Sequence, residues 1–150
     1  MCAFVLNFTA SAVPVKTGLA RQARELLKVG LWGASPSVQA RPEVGDRVVV
    51  YAGAPEKLFV GDAIVGEGLH EWSPAEQERF PSRLGFDLGL SLVHARVWSL
   101  SVSLNDIWAA TSRGKSGMQA TFRSGICHLP DADVELIIAR GIRHARVRSS

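Results

Sequence analysis

Residues 45–68 place the tightest constraint on the fold of this chain. GDRVVVYAG runs from Gly45 to Gly53, and after a short turn FVGDAIVGEG runs from Phe59 to Gly68. Both segments are short, apolar and rich in β-branched residues, and small-residue turns bound them, which is the pattern of a strand pair. The connection Gly53-Ala54-Pro55-Glu56 is far too short for the crossover that two parallel strands need. The pair is therefore an antiparallel hairpin, and a doubly wound, all-parallel sheet is disfavoured. Gly61, inside the second strand, marks a bulge or a close approach of backbone.

The other elements arrange themselves around that hairpin. Cys2 to Phe8 reads as an opening strand, and Ser11 to Thr17 as a turn region around Pro14. Leu19, Ala23, Leu26 and Leu27 have helical spacing, which predicts a helix over Leu19–Val29 with Gly30 as its C-cap. Leu31-Trp32-Gly33 follows, and Ser35-Pro36 and Arg41-Pro42 mark an extended, irregular segment. The second hairpin strand is expected from Leu58 to Gly66. Ser73-Pro74 caps a short helix over Ala75–Phe80. Leu92 to Leu104 alternates as a long strand, with a phase slip near Trp98-Ser99. A brief helix is expected from Asn105 to Ala110, a small-residue loop over Thr111–Gly117, and a last strand over Ala120–Ile126. Pro130-Asp131 opens a helix over Ala132–Arg140 that Gly141 ends. Mixed strands with helices outside them predict an α/β (α+β) fold, a small mixed β-barrel of about five or six strands. At 150 residues this is a single domain, with a basic tail from about residue 141.

Composition removes several function classes. A hydrophobic content of 47% with 21% charged residues belongs to a globular chain rather than a disordered one. No apolar run approaches the roughly 20 residues of a membrane helix, and no basic stretch precedes the apolar N-terminus as in a secretory signal. A cytoplasmic protein with no membrane partner is expected. Cys2 and Cys127 lack metal-ligand spacing, and His70, His94, His128 and His144 are scattered, so they read as surface or packing residues. No metal and no cofactor are expected. Cys127 and His128 are adjacent on an extended segment and point to opposite faces, so the imidazole cannot readily activate the thiol. The zinc-deaminase signature is missing. The net charge of +3 is concentrated: Arg140, Arg143, Arg146 and Arg148 crowd the end of the chain, and Lys16, Arg21, Arg24 and Lys28 surround the first helix. Such clusters suit phosphate backbones.

GDRVVVYAG followed by FVGDAIVGEG resembles the central hairpin of EVE domains, members of the PUA-like superfamily. GLWGAS, just before it, resembles the Trp-small-Ser segment that EVE domains share with YTH domains. VHARVWSLSVSLNDI is similar to the long family strand with its Arg-x-Trp, and FRSGICHLPDADVELIIARG to the closing strand, Ser-containing turn and Pro-initiated helix. The match runs in order from about Leu26 to Gly141. The first strand departs from the family pattern, with FVLNFTASAVP in place of a Trp and a Lys-x-Glu-Pro sequence. What the resemblance implies is a PUA-like barrel that holds a modified, methylated nucleobase of DNA or RNA after it has left the stack.

Such a site needs flat apolar walls, a few groups to read the base edge, and cations for the flanking phosphates. On this chain Trp32 becomes one wall, with Gly33, Ala34 and Ser35 leaving room for the ring. Trp72, placed after FVGDAIVGEG like the second cage tryptophan of YTH relatives, becomes another. Tyr51 and Phe59 contribute from the strands, and Ser124 and Gly125 lie at the floor. Arg21, Lys28, Arg113, Lys115 and Arg123 contact phosphate. Trp98 and Trp108 read as core. No catalytic residue is required, and a separate effector nuclease or other protein would supply any chemistry. The alternative is an ASCH-like small hydrolase acting on a modified nucleoside, for which Lys57, Glu67 and Tyr51 would have to converge. A protein-interaction domain is the third possibility.

Overall fold

The computed structural model describes residues 3–8, 18–34, 40–53, 56–80, 88–107 and 126–149, with residues 142–149 as backbone only. Six strands form one mixed sheet in the order β2-β5-β4-β3-β1-β6. The strands are β1 (Ala3–Phe8), β2 (Leu31–Ala34), β3 (Arg47–Ala52), β4 (Leu58–Glu71), β5 (Leu88–Ser103) and β6 (Ile126–Leu129). The helices are α1 (Leu19–Val29), α2 (Pro74–Arg79), α3 (Leu104–Ile107) and α4 (Asp131–Ser149). The hairpin β3–β4 is antiparallel, as its short turn requires, and β1 joins β3 in parallel. The sheet curls into a half-barrel, and the α+β architecture is the one expected from sequence.

Each face of the sheet has its own core. On one side α1 packs with Phe4, Leu6, Phe8, Val48, Val50 and Val60. On the other, α4 sets Val134, Ile137 and Ile138 beside Val5, Val49, Tyr51, Phe59 and Trp98. The alternation of Val48, Val49, Val50 and Tyr51 between the two cores follows from the period of two in a strand. That strand is buried almost throughout, so its run reads as nearly continuously apolar.

Glycines set the distance between helix and sheet at two places. A Cβ on Gly61 would lie 2.3 Å from a Leu27 methyl carbon and 2.3 Å from the Arg96 carbonyl oxygen. Helix α1 therefore rests on bare backbone, and the β4–β5 register also shifts between Phe59 and Gly61. A Cβ on Gly141 would come within 2.3–2.5 Å of the Trp98 indole. This corrects the sequence expectation for that glycine. Gly141 does not end the last helix, which continues to Ser149; it gives the Trp98 ring a flat seat on α4.

Other boundaries also move. Leu31-Trp32-Gly33-Ala34 is an edge strand, β2, rather than the approach to an irregular segment. Strands β4 and β5 reach Glu71 and back to Leu88, beyond their expected ends. The closing strand lies at Ile126–Leu129, paired antiparallel with β1; the expected 120–125 portion lies outside the described residues, as do Trp108 and the loop 111–117. Among the described residues no helix is long and apolar enough to cross a membrane.

Candidate functional site

Three strands meet at one end of the sheet. Gly33 of β2 sits opposite Gly89 of β5, and Gly89 sits opposite His70 of β4. Gly89 lies at the centre of this end, and its missing side chain is needed there. A Cβ would lie 2.0 Å from the Trp32 carbonyl oxygen and 2.3 Å from Cη2 of Trp72. The Trp72 indole thus lies directly against peptide backbone. Its other neighbours are Phe80, tilted by 32° at a centroid distance of 4.9 Å, and His70, edge-on at 5.7 Å. Trp32 meets Phe8 edge-on at 5.7 Å. Trp32 is 2% exposed and Trp72 7%, so a ring that stacks on either must move a neighbouring side chain aside.

The structure brings Trp32, Gly33, Ala34 and Trp72 to this end of the sheet, with Trp32, Ala34 and Trp72 in the core on the α1 side. Tyr51 and Phe59 do not join them. They pack on each other at 4.8 Å in the opposite core, across the sheet from the two tryptophans. Burial pushes the Tyr51 hydroxyl up to about 12. Ser35, Ser124, Gly125, Arg113, Lys115 and Arg123 lie outside the described residues. Lys28 is exposed in the last turn of α1, just before Gly30 turns the chain into β2. Arg21 is exposed about 10 Å back along the helix and pairs with Glu25 at 3.7 Å. Arg79, from α2, donates to the Val29 carbonyl and so supplies a cation at the C-terminal end of α1.

Glu67, His70 and Glu76 cluster beside Trp72. Nδ1 of His70 lies 2.7 Å from the Gly68 carbonyl oxygen and donates to it, which leaves Nε2 facing carboxylates. Nε2 is 2.9 Å from both oxygens of Glu76 and 3.7 Å from Oε2 of Glu67. Burial acts to lower the His70 pKa. The Gly68 hydrogen bond, the Glu76 hydrogen bond and charge, and the Glu67 charge outweigh it, so the value is raised. Glu76 shifts the other way. Burial would raise it, but the backbone N–H of Ser73, the His70 hydrogen bond, the Ser73 hydroxyl and the His70 charge hold it below the usual range. Its position is fixed by a capping box. Oε1 accepts from the Ser73 N–H at 3.0 Å while Ser73 Oγ accepts from the Glu76 N–H at 3.3 Å.

A second polar group lies across the sheet, further along β4. Asp62, 4% exposed, accepts from Nε and Nη2 of Arg96 and, at 2.8 Å, from Nε1 of Trp98. Arg96 and Trp98 are two apart on β5 and share a face, so Arg-x-Trp clamps one buried carboxylate on the neighbouring strand. All the atoms involved are satisfied by one another, which makes this a structural tie. The three groups proposed for hydrolysis do not converge. Lys57 and Tyr51 flank the β3–β4 turn, while Glu67 lies eight residues beyond Phe59 along β4, on the order of 20–25 Å away.

Sequence reasoning passed over His70, Glu76, Phe80, Gly89 and Asp62. Glu67-x-x-His70 was readable in the chain, but an odd spacing on a strand argues for opposite faces. The bulge that reverses this leaves no mark in composition.

No protein-family model and no curated protein sequence matches the chain. Solved structures do resemble it. The ASCH protein from Zymomonas mobilis superposes with a TM-score of 0.61 at 15% identity, covering 91% of this chain and 94% of that one. Rpa0253 from Rhodopseudomonas palustris gives 0.58 at 14% identity, covering 95% and 94%. The N-terminal domain of Staphylothermus marinus McrB gives 0.53 at 12% identity, covering 93% and 94%. At these identities the likeness concerns the fold alone, which this chain shares with the ASCH protein and the McrB N-terminal domain.

Proposed function

We propose that the protein is a non-catalytic nucleic-acid-binding module of the EVE type that holds a modified nucleobase, methylated cytosine or adenine, at the Trp32–Trp72 end of the sheet. The observation that carries this reading is the seat of Trp72: a flat indole held on the bare backbone of Gly89, with Phe80 covering its ring at 4.9 Å. Phe80 stands where a base would stack, so base entry exchanges one ring for another. Stacking of this kind is worth about 1–3 kcal/mol per base. Lys28 and Arg79 supply cations at the same end, and Arg113, Lys115 and Arg123 are proposed to extend the phosphate track. The likeness to ASCH and McrB N-terminal folds supports a reading within this structural class. Tyr51 and Phe59, packed in the opposite core, have no part in the site so proposed.

Fluorescence anisotropy tests the proposal. The probes are short single- and double-stranded oligonucleotides with one cytosine or adenine, plain or methylated, titrated against wild type and Trp72→Leu, with folding checked by circular dichroism. The expected result is preference for a methylated base that Trp72→Leu removes, and affinity that falls steeply between low and moderate salt. Equal binding of plain and methylated probes by both proteins would refute the pocket and leave a basic surface. The second reading, a hydrolase acting on a modified nucleoside, draws on the His70–Glu76–Glu67 cluster in place of the separated Lys57, Tyr51 and Glu67. Release of free base or a hydrolysed nucleoside, insensitive to salt, would favour it.

A further inference from the structure

We propose that Glu67, His70 and Glu76 bind one divalent first-row transition-metal ion of the zinc or manganese class. The inference stands apart from base recognition and needs none of it. Its basis is a set of independent local features that each aim a ligand atom at one point.

The first feature is the register of β4. Glu67 pairs with Ser91 and His70 with Gly89, so three steps along β4 face two along β5. One extra residue in the strand returns His70 to the face of Glu67, where regular alternation would have separated them. The second is the His70 ring. Its Nδ1–H is held by the Gly68 carbonyl at 2.7 Å, the outer-sphere bond that fixes a metal-binding tautomer and leaves the Nε2 lone pair available to an ion. The third is Glu76, which reaches the same point from α2 and is anchored there through the Ser73 N–H. The separations suit a shared ion. Nε2 lies 2.9 Å from Glu76 Oε2 and 3.7 Å from Glu67 Oε2, and the three ligand atoms lie within 4.8 Å of one another. Atoms bound to one tetrahedral zinc at about 2.0–2.2 Å stand about 3.3–3.6 Å apart, so a swing of the exposed Glu67 side chain by about 1 Å closes the set.

One imidazole and two carboxylates favour zinc, manganese, cobalt or ferrous ion over the all-oxygen shells of calcium and magnesium. Three protein ligands leave at least one coordination position for water or an anionic oxygen. An ion and a proton compete for the same Nε2 lone pair, so uptake should weaken as pH falls.

Isothermal titration of the metal-stripped full chain with zinc chloride, repeated with manganese chloride, decides the matter. Wild type is expected to take up one ion per chain. Glu67→Gln, a change at a side chain 62% exposed, is expected to weaken that uptake by about tenfold or more, and His70→Gln by more still. His128→Gln, at the exposed position of the otherwise buried β6, serves as the control and leaves it unchanged. If His70→Gln fails to fold, Glu67→Gln still decides. Absence of uptake at one ion per chain by wild type, or wild-type affinity in Glu67→Gln, overturns the proposal.

Discussion

At the scale of single residues, the arrangement depends on where side chains are missing as much as on where they are present. Gly89→Ala puts a methyl group 2.3 Å from the Trp72 ring and 2.0 Å from a carbonyl oxygen, and neither can yield without moving a strand or a second aromatic. Overpacking of this kind costs about 1–3 kcal/mol. A urea midpoint lowered accordingly, with an altered Trp fluorescence spectrum, is the expected outcome; an unchanged midpoint would show that Trp72 is not seated on Gly89. Tyr51 gives a prediction at high pH. The folded protein keeps its phenolic proton up to about 12, whereas the unfolded chain releases it near 10. The folded value is the higher one, so stability is intact below pH 10 and declines as pH rises through the window, by about 2–3 kcal/mol in full. Tyr51→Phe should remove that part of the alkaline decline, measured as the difference between urea midpoints at pH 8 and pH 11.

At the scale of elements, the legible parts were those whose pattern is unbroken. Helix α1 was readable to the residue, because Leu19, Ala23, Leu26 and Leu27 repeat at helical spacing and Gly30 closes the last turn in the left-handed conformation. Strand β3 was equally plain. The long strands were readable only in part. The β4–β5 pairing slips between Phe59 and Gly61, Asp62 and Ile64, Val65 and Glu67, and Glu67 and His70, and each slip breaks the period of two on which a strand is recognised. His94, at φ 52, falls in one such irregularity. Helix α4 was cut short for a different reason. A glycine after an apolar-periodic segment signals a C-cap, and here it serves contact with Trp98 instead. Gly141→Ala separates the two roles. Helix propensity alone would gain roughly 1 kcal/mol, but a Cβ within 2.3–2.5 Å of the indole costs more than that, so the variant should melt at a lower temperature in a thermal scan.

At the scale of the whole molecule, the hairpin was sufficient to give the mixed sheet and the class of fold, because antiparallel pairing next to helices leaves few architectures. The site was legible in composition and not in arrangement. Trp32 and Trp72 were identifiable as aromatics beside small residues, but nothing local says that forty positions apart they share a core. Tyr51 and Phe59 are separated from them by strand face and by distance, since both lie at the β3–β4 turn and not at the Gly89 end of the sheet. The pairing of β4 has one more outcome. Up to Val65 the strand is bonded on both sides, to β3 with the Gly45–Asp46 turn that leads into it and to β5; beyond it only the pairing with β5 continues to Glu71. Amide hydrogens from Phe59 to Ile64 should therefore exchange with deuterium only on global unfolding, whereas those from Gly66 to Glu71 should exchange through smaller, cheaper openings. Exchange measured by mass spectrometry would show that step as a break in protection along one continuous strand. The residues proposed to face a ligand would then breathe on their own clock while the interior stays shut.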